Sequence, residues 1–290
     1  MTASADTDTL DIDHLRGWIG RSETHDELMS PWTAGALAAT LRNEERARQA
    51  GEALPPLWHW CYFLPFSPHD RLGPDGHPSR GGFLPPVPLP RRMWAGSQLE
   101  FLGPLPLGAP ARKTSRVQDV SLKQGKAGAL VFVKVVHEVH AGGQLVLRDA
   151  QDIVYREAAR PGESAPPIAP PADAAWSVEH RPDPVLLFRY SALSFNGHRI
   201  HYDQPYVTRV EGYADLVVHG PLIATLLLEA AQQRNPGRAV RGYAFKAVRP
   251  LTCGRLLRLR GHAAQADGSV ALWAEDEDGA LLMQASATLG

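Results

Sequence analysis

The chain has only two cysteines, Cys61 and Cys253, in 290 residues. That is too few for a disulfide framework or a Cys-based zinc ribbon. It has no surplus of charge either: 30 Lys and Arg stand against 31 Asp and Glu, which leaves no overall electrostatic footprint for nucleic acid. It lacks a long hydrophobic run. The most apolar stretch, 216–231, is interrupted by His219, Gly220 and Pro221 and falls short of the ~20 residues a membrane span requires. The first residues, MTASADTDTLDIDH, are acidic and polar, unlike a signal or transit peptide. Neither a GxSxG elbow, nor a P-loop GxxxxGK[ST], nor a GxGxxG after a strand occurs. Nucleotide hydrolysis and nicotinamide chemistry therefore drop out as leading ideas. The expectation is a soluble, cytoplasmic protein with no nucleic-acid or membrane partner.

Proline and glycine, by contrast, are plentiful and punctuate the chain. The segment 161–173, PGESAPPIAPPAD, holds five prolines and no hydrophobic periodicity, and reads as an extended connector. It divides the chain into halves at 1–160 and 174–290. Each half contains one convincing helix opened by proline, whose missing N–H would be unpaired there anyway. The first is expected over 31–49 behind a Ser30 cap, and the second follows Gly220 as PLIATLLLEAAQQR. The second is apolar around most of its circumference, so it must be wrapped on several sides. Strands are expected at 95–102, 111–122, 128–140 and 144–156, then at 240–248, 255–265, 269–274 and 279–289. PLPLG (104–108) and PLTCG (250–254) share a P-L-x-x-G spacing in the two halves. With the same element order, this indicates a degenerate duplication. The expected fold class is α+β: two tandem units, each a helix wrapped by an antiparallel sheet.

The first half carries roughly 44 more residues between its helix and its P-L-x-x-G segment, spread over about 51–94. A loop that long in a compact domain is usually functional or disordered. Its aromatics (Trp58, Trp60, Tyr62, Phe63, Phe66 and Phe83) argue against disorder and for an ordered cover.

Reactive side chains concentrate in YSALSFNGHRIHYD (190–203), followed by His219-Gly220. Three readings are open: a polar loop whose histidines satisfy backbone groups; a metal site using His198, His201 and Asp203; or acid–base catalysis by an imidazole that titrates near neutrality. No HExxH or equivalent framework supports the metal. For catalysis, Asn196 could hold a water, and Gly220 at a helix N-terminus could offer an N–H to developing negative charge. A plain helix cap is the alternative for Gly220. Both cysteines read as buried bystanders.

The 196–201 stretch and His219-Gly220 resemble the MaoC-like (R)-specific enoyl-CoA hydratases, the hydratase-2 group of the hot-dog fold. Their motif runs Asp-x-Asn-Pro-x-His, with a helix opened by His-Gly further on. Here Asn196 falls at the catalytic Asp, and His198 and Arg199 replace Asn-Pro. His201 matches the catalytic His. PPLWHWCYF (55–63), LGPDGHPSRGGFLPPVPLPRRMWAG (72–96), SLKQGKAGALVFVKVVHE (121–138), DIVYRE (152–157) and FRYSALSFNGHRIHYD (188–203) are similar to the double hot-dog 3-methylfumaryl-CoA (mesaconyl-C4-CoA) hydratases.

That resemblance implies a double hot-dog whose C-terminal unit is catalytic. It further implies a hydro-lyase acting on an acyl-CoA thioester with no cofactor beyond the substrate's own coenzyme A. His201, Asn196 and Gly220 are its expected catalytic residues. His198, Arg199 and His219 flank the substrate, and Arg80, Arg91 and Arg92 of the insertion are expected to read a free carboxylate on its acyl chain. Alternatively, the loop arginines are solvated or pair with Asp70 and Asp75. His69 and His77 are further donors in the loop, and Asp203 or Asp70 could supply the carboxylate that Asn196 lacks. Rival activities are thioester hydrolysis and non-catalytic thioester binding. A double hot-dog already supplies two units, so a monomer or a homodimer is expected.

Overall fold

The computed structural model describes residues 10–43, 49–125, 128–157 and 166–290. The first half contributes α1 (Ile12–Arg16), β1 (Ser22–Leu28), α2 (Pro31–Leu41), β2 (Arg91–Phe101), β3 (Pro110–Gly125), β4 (Gly128–Ala141) and β5 (Gln144–Arg156). The second contributes β6 (Trp176–His180), α3 (Pro184–Leu193), α4 (Gln204–Arg209), α5 (Gly220–Arg234), β7 (Val240–Ala247), β8 (Leu257–Gly261), β9 (Ser269–Asp276) and β10 (Leu281–Leu289). All ten strands form one antiparallel sheet in the order β1-β3-β4-β5-β2-β7-β10-β9-β8-β6. Read outward from the β2–β7 seam, the two halves repeat one topology, and the architecture is the expected α+β double hot-dog.

The repeat is visible at the level of single hydrogen bonds. PLPLG and PLTCG each follow the seam strand and form matching isolated bridges, Ala53 to Pro106 and Val217 to Thr252. Leu54 N donates to Leu105 O and Val218 N to Leu251 O, both at 2.8 Å. Each motif ends on a left-handed glycine, Gly108 (φ 78°) and Gly254 (φ 80°). The N–H of each reaches the residue before a helix cap, Met29 O and Pro182 O.

These equivalences correct the expected pairing of helices. Ser30-Pro31 opening α2 corresponds to Asp183-Pro184 opening α3, since both follow an edge strand and carry a side-chain cap. The place of α5 in the first half falls at 55–61, where the chain makes only a 3₁₀ turn, Trp58–Cys61. Leu57 there turns left-handed (φ 70°), so no helix runs on from 55–56 as one does from Gly220-Pro221. The first helix is also shorter than expected: Arg42 turns left-handed (φ 55°) and ends it, and 44–48 lies outside the described residues.

One central helix therefore serves the fold. Along α5, Leu222 to Ala231 are buried on all sides, as its unbroken apolar circumference requires. Each fully buried leucine there contributes about 1.5–3 kcal/mol. The start of the insertion closes over this core. Trp58 donates its indole N–H to Glu229 of α5 at 2.9 Å, and Trp60 donates to the buried Asp149 of β5 at 3.0 Å. Its end does the same further along the sheet. Val87 and Leu89 pack with Val131, Val133 and Val135, which share a strand face with Val139 of the main core. Both ends of the insertion are thus nailed down in apolar cores, and its middle is held across the second half.

Candidate active site

The segment that carries Asn196 and His201 runs between α3 and α4. Phe195 takes a left-handed conformation (φ 49°), which turns the chain off α3. Asn196 Oδ1 then accepts from His198 N at 3.0 Å, and a 3₁₀ turn, Arg199–His201, delivers the His201 ring into the interior. His201 Nδ1 lies 2.7 Å from Val217 O. A carbonyl can only accept, so Nδ1 carries the proton and Nε2 is left with a lone pair. The ring stacks on His219 with centroids 3.6 Å apart. His219 is in turn fixed by a 2.8 Å hydrogen bond from Nε2 to Ser191 Oγ. The His219 side chain does not cap α5, so the helix N-terminus keeps its free amides. A Cβ placed on Gly220 would meet nothing within 4 Å, so a ligand atom can come up against that backbone.

The middle of the insertion lies on this segment, backbone against backbone. Arg199 N donates to Asp75 O at 2.9 Å, and Arg199 Nη1 donates to Pro74 O at 3.0 Å. A Cβ on Gly76 would sit 1.9 Å from Gly197 O. The contact brings His77 to His198, centroids 4.0 Å apart, and His198 to within 5.5 Å of His201. His77 Nδ1 is 2.9 Å from Asp75 Oδ2. A line of four histidines thus runs from the insertion to the helix N-terminus.

Burial sets their charge. Desolvation lowers all four from the ordinary histidine value, His201 to about 4 and His198 to about 2, with mutual repulsion adding to it. They are neutral at pH 7, the state a base requires. Burial alone would raise the Asp75 carboxyl, but the hydrogen bonds it accepts from the His77 ring and backbone outweigh it and hold Asp75 ionised.

A stability consequence follows. Between about pH 6.5 and the depressed folded values, the unfolded chain takes up protons that the fold refuses, so stability falls as pH falls through that window. The melting temperature is expected to be lower at pH 5 than at pH 7. Equal values would show that these rings are not held neutral.

The expected substrate residues divide. Arg80 gives its guanidinium to Val87 O and Pro90 O, both on its own loop. Arg91 pairs with Glu211 and lies over the Tyr213 ring. Arg199 is bound to Asp203 through Nε and Nη2 and stacks on Tyr206 at 4.0 Å. Each of these three thus has a partner within the protein and braces the insertion or the segment under it. Arg92 is different. It pairs across the sheet with Tyr155, and its charge is felt at His77 and His198. Among the described residues it has no carboxylate partner.

Neither carboxylate expected to support His201 does so: Asp203 holds Arg199 and caps α4, and Asp70 sits in an exposed turn. Nor do His198, His201 and Asp203 form a metal cluster. Among the described residues the donor atoms that gather within 4.8 Å belong to Asp75, His77 and His198. Two of those three are spent on each other, and we assign no metal to them. Glu229, the one carboxylate of α5, lies nine residues beyond Gly220 and binds Trp58 and Asn43. It is therefore not placed as a base at the helix N-terminus. No helix of the described residues is long and apolar enough to cross a membrane.

Known proteins resemble the chain in the same regions. Residues 57–253 match the family of type 2 hydroxyacyl-thioester dehydratases, Htd2. A mesaconyl-C(4)-CoA hydratase of Chloroflexus aurantiacus is 44% identical over 275 residues, covering 94% of this chain and 97% of that protein. A mitochondrial type 2 hydroxyacyl-thioester dehydratase of Schizosaccharomyces pombe is 27% identical over 238 residues, or 71% and 77% of the two chains. In fold, the chain superposes on a MaoC-like dehydratase of Phytophthora capsici with a TM-score of 0.70 at 16% identity, covering 97% and 99%.

Proposed function

Because the chain belongs to the type 2 hydroxyacyl-thioester dehydratase family, we propose that this site adds water reversibly across the double bond of an enoyl-CoA. The observation that carries this reading is the pairing of two groups at one place: an imidazole with a free Nε2, and the open N-terminus of α5 at Gly220. The helix N–H accepts the charge that develops on the thioester oxygen as the double bond opens. His201 takes a proton from water as the oxygen bonds to the β-carbon, and returns that proton to the α-carbon. No cofactor is needed for this sequence of steps.

The proposed substrate is a branched dicarboxylic enoyl-CoA, 3-methylfumaryl-CoA giving citramalyl-CoA. Support comes from the mesaconyl-C(4)-CoA hydratase relative and from Arg92, a cation beside the histidine line with no carboxylate of its own. A mass-resolved assay with 3-methylfumaryl-CoA, itaconyl-CoA and crotonyl-CoA tests it. The expected result is a product heavier by one water, from 3-methylfumaryl-CoA alone. Hydration of crotonyl-CoA with equal efficiency would discard the carboxylate reader, and free CoA thiol without hydration would make the protein a thioesterase. Arg92→Ala is expected to lower kcat/KM for the dicarboxylic thioester by about 10²-fold, the order for losing one partner of a buried charged pair. Binding of coenzyme A itself, which has no acyl carboxylate, serves as the control and should be unaffected.

A further inference from the structure

Hydration asks for more than one base. The attacking water must be held with a lone pair aimed at the β-carbon while one proton leaves, and its second O–H needs an acceptor. Asn196 stands where the resemblance expects a carboxylate, and its Oδ1 already accepts the His198 N–H. The amide oxygen keeps a second lone pair but carries no charge, so it is a weaker acceptor than a carboxylate and cannot act as a base.

The inserted loop brings an acceptor to the same line of rings. Asp75 Oδ2 receives the proton of His77 Nδ1 at 2.9 Å, which leaves His77 Nε2 with a lone pair, as Val217 O does for His201. The pair is rigidly mounted. His77 N donates to Asp75 Oδ1 at 3.0 Å, Gly73 N to His77 O at 2.7 Å, and Arg199 N to Asp75 O at 2.9 Å. The His77 ring lies 4.0 Å from the His198 ring, which lies 5.5 Å from the His201 ring, so the two free Nε2 atoms belong to one continuous line of imidazoles.

We propose that Asp75 and His77 form the second half of the hydration machinery, carried in by the insertion to do what an amide at 196 cannot. His77 Nε2 accepts one O–H of the attacking water, and that hydrogen stays in the product hydroxyl. His201 Nε2 takes the other proton and passes it to the α-carbon, so atoms and charge balance with no further reactant. Asp75 does not touch the water; it is a positioning residue that fixes the His77 tautomer and ring. This inference rests on the hydratase reading above.

The test compares His77→Gln, Asp75→Asn, His77→Gln with Asn196→Asp, and His201→Ala, with kcat and KM measured on 3-methylfumaryl-CoA. His77→Gln is expected to lower kcat about 10²-fold or more with KM nearly unchanged. Asp75→Asn should lower kcat less, also at constant KM. Asn196→Asp in the His77→Gln background should restore part of the lost kcat by returning an acceptor to the water, a recovery that repair of folding would not produce. Unchanged kcat in His77→Gln beside an inactive His201→Ala overturns this inference and leaves the hydratase reading standing. Retained activity in His201→Ala overturns the hydratase reading itself. A raised KM with normal kcat would make His77 a substrate-carboxylate ligand, and absence of recovery in the double variant would deny the substitution of roles. Activity of the unaltered protein abolished by a chelator and restored by Zn²⁺ would make Asp75 and His77 metal ligands. Each of these three overturns the proposal.

Discussion

Replacing His201 with alanine is expected to lower kcat for hydration by about 10²–10⁴, the range for loss of a general base. The KM of the CoA thioester should change little. The oxyanion donor proposed at Gly220, the Asp75–His77 pair and Arg92 all stay in place, and none of them is hydrogen-bonded to His201. A modest structural cost is expected as well. Val217 O loses its donor and is left buried without one, which is worth about 1–3 kcal/mol. That should appear as a lowered melting temperature with an unchanged circular dichroism spectrum at assay temperature. A variant that folds, binds the thioester and still turns over at most of the original rate would remove His201 from the chemistry altogether.

Gly76→Ala should be nearly as damaging, although residue 76 offers no side chain to the reaction. Its φ of 85° already disfavours any L side chain. The new methyl would lie 1.9 Å from Gly197 O, and a backbone oxygen cannot swing aside as a long side chain could. The loop must lift. His77 then leaves the water it is proposed to hold, and Arg199 loses the Asp75 and Pro74 carbonyls. A displacement near 1 Å is enough to cost about 10² in rate when orientation is what the site provides. The expected signature is a large fall in kcat with the sheet intact, because both ends of the insertion remain anchored by Trp58 and by Val87 and Leu89. Normal turnover in this variant would mean that the loop contributes nothing at its contact with Gly197.

Much of this molecule can be read from residue order, and the reasons separate the legible parts from the rest. Eight of the ten strands announce themselves by alternation bounded by glycine turns, as in GALVFVKVVHE. The two edge strands do not. β1 is SETHDEL, polar on both faces, and β6 is five residues long; both are strands because a neighbour pairs with them. His201, Asn196 and Gly220 can be read as candidates because they fall on the 196–201 stretch and the His-Gly pair that follows it. Asp75 and His77 are local to each other as DGH, but nothing local says that Gly76 will meet Gly197, 121 residues on. The arginines mislead for the opposite reason. Composition shows four cations near the site, and only the three-dimensional arrangement shows that three of them already have partners.

The seam between β2 and β7, where Gly96 to Glu100 pair with Gly242 to Lys246, joins the two repeats within one polypeptide. In a pair of identical subunits any change to one copy is imposed on the other, so a long insertion would appear at both sites and a lost helix would empty both cores. Continuity of the chain releases that constraint. One copy can exchange its helix for a short turn and a strap, while the other retains the helix whose first amide faces the ligand. Covalent linkage permits asymmetry here: the half with the short turn can lend a strap to its sister's proposed site, and substitutions in the strap can reshape that site without touching the segment that carries His201.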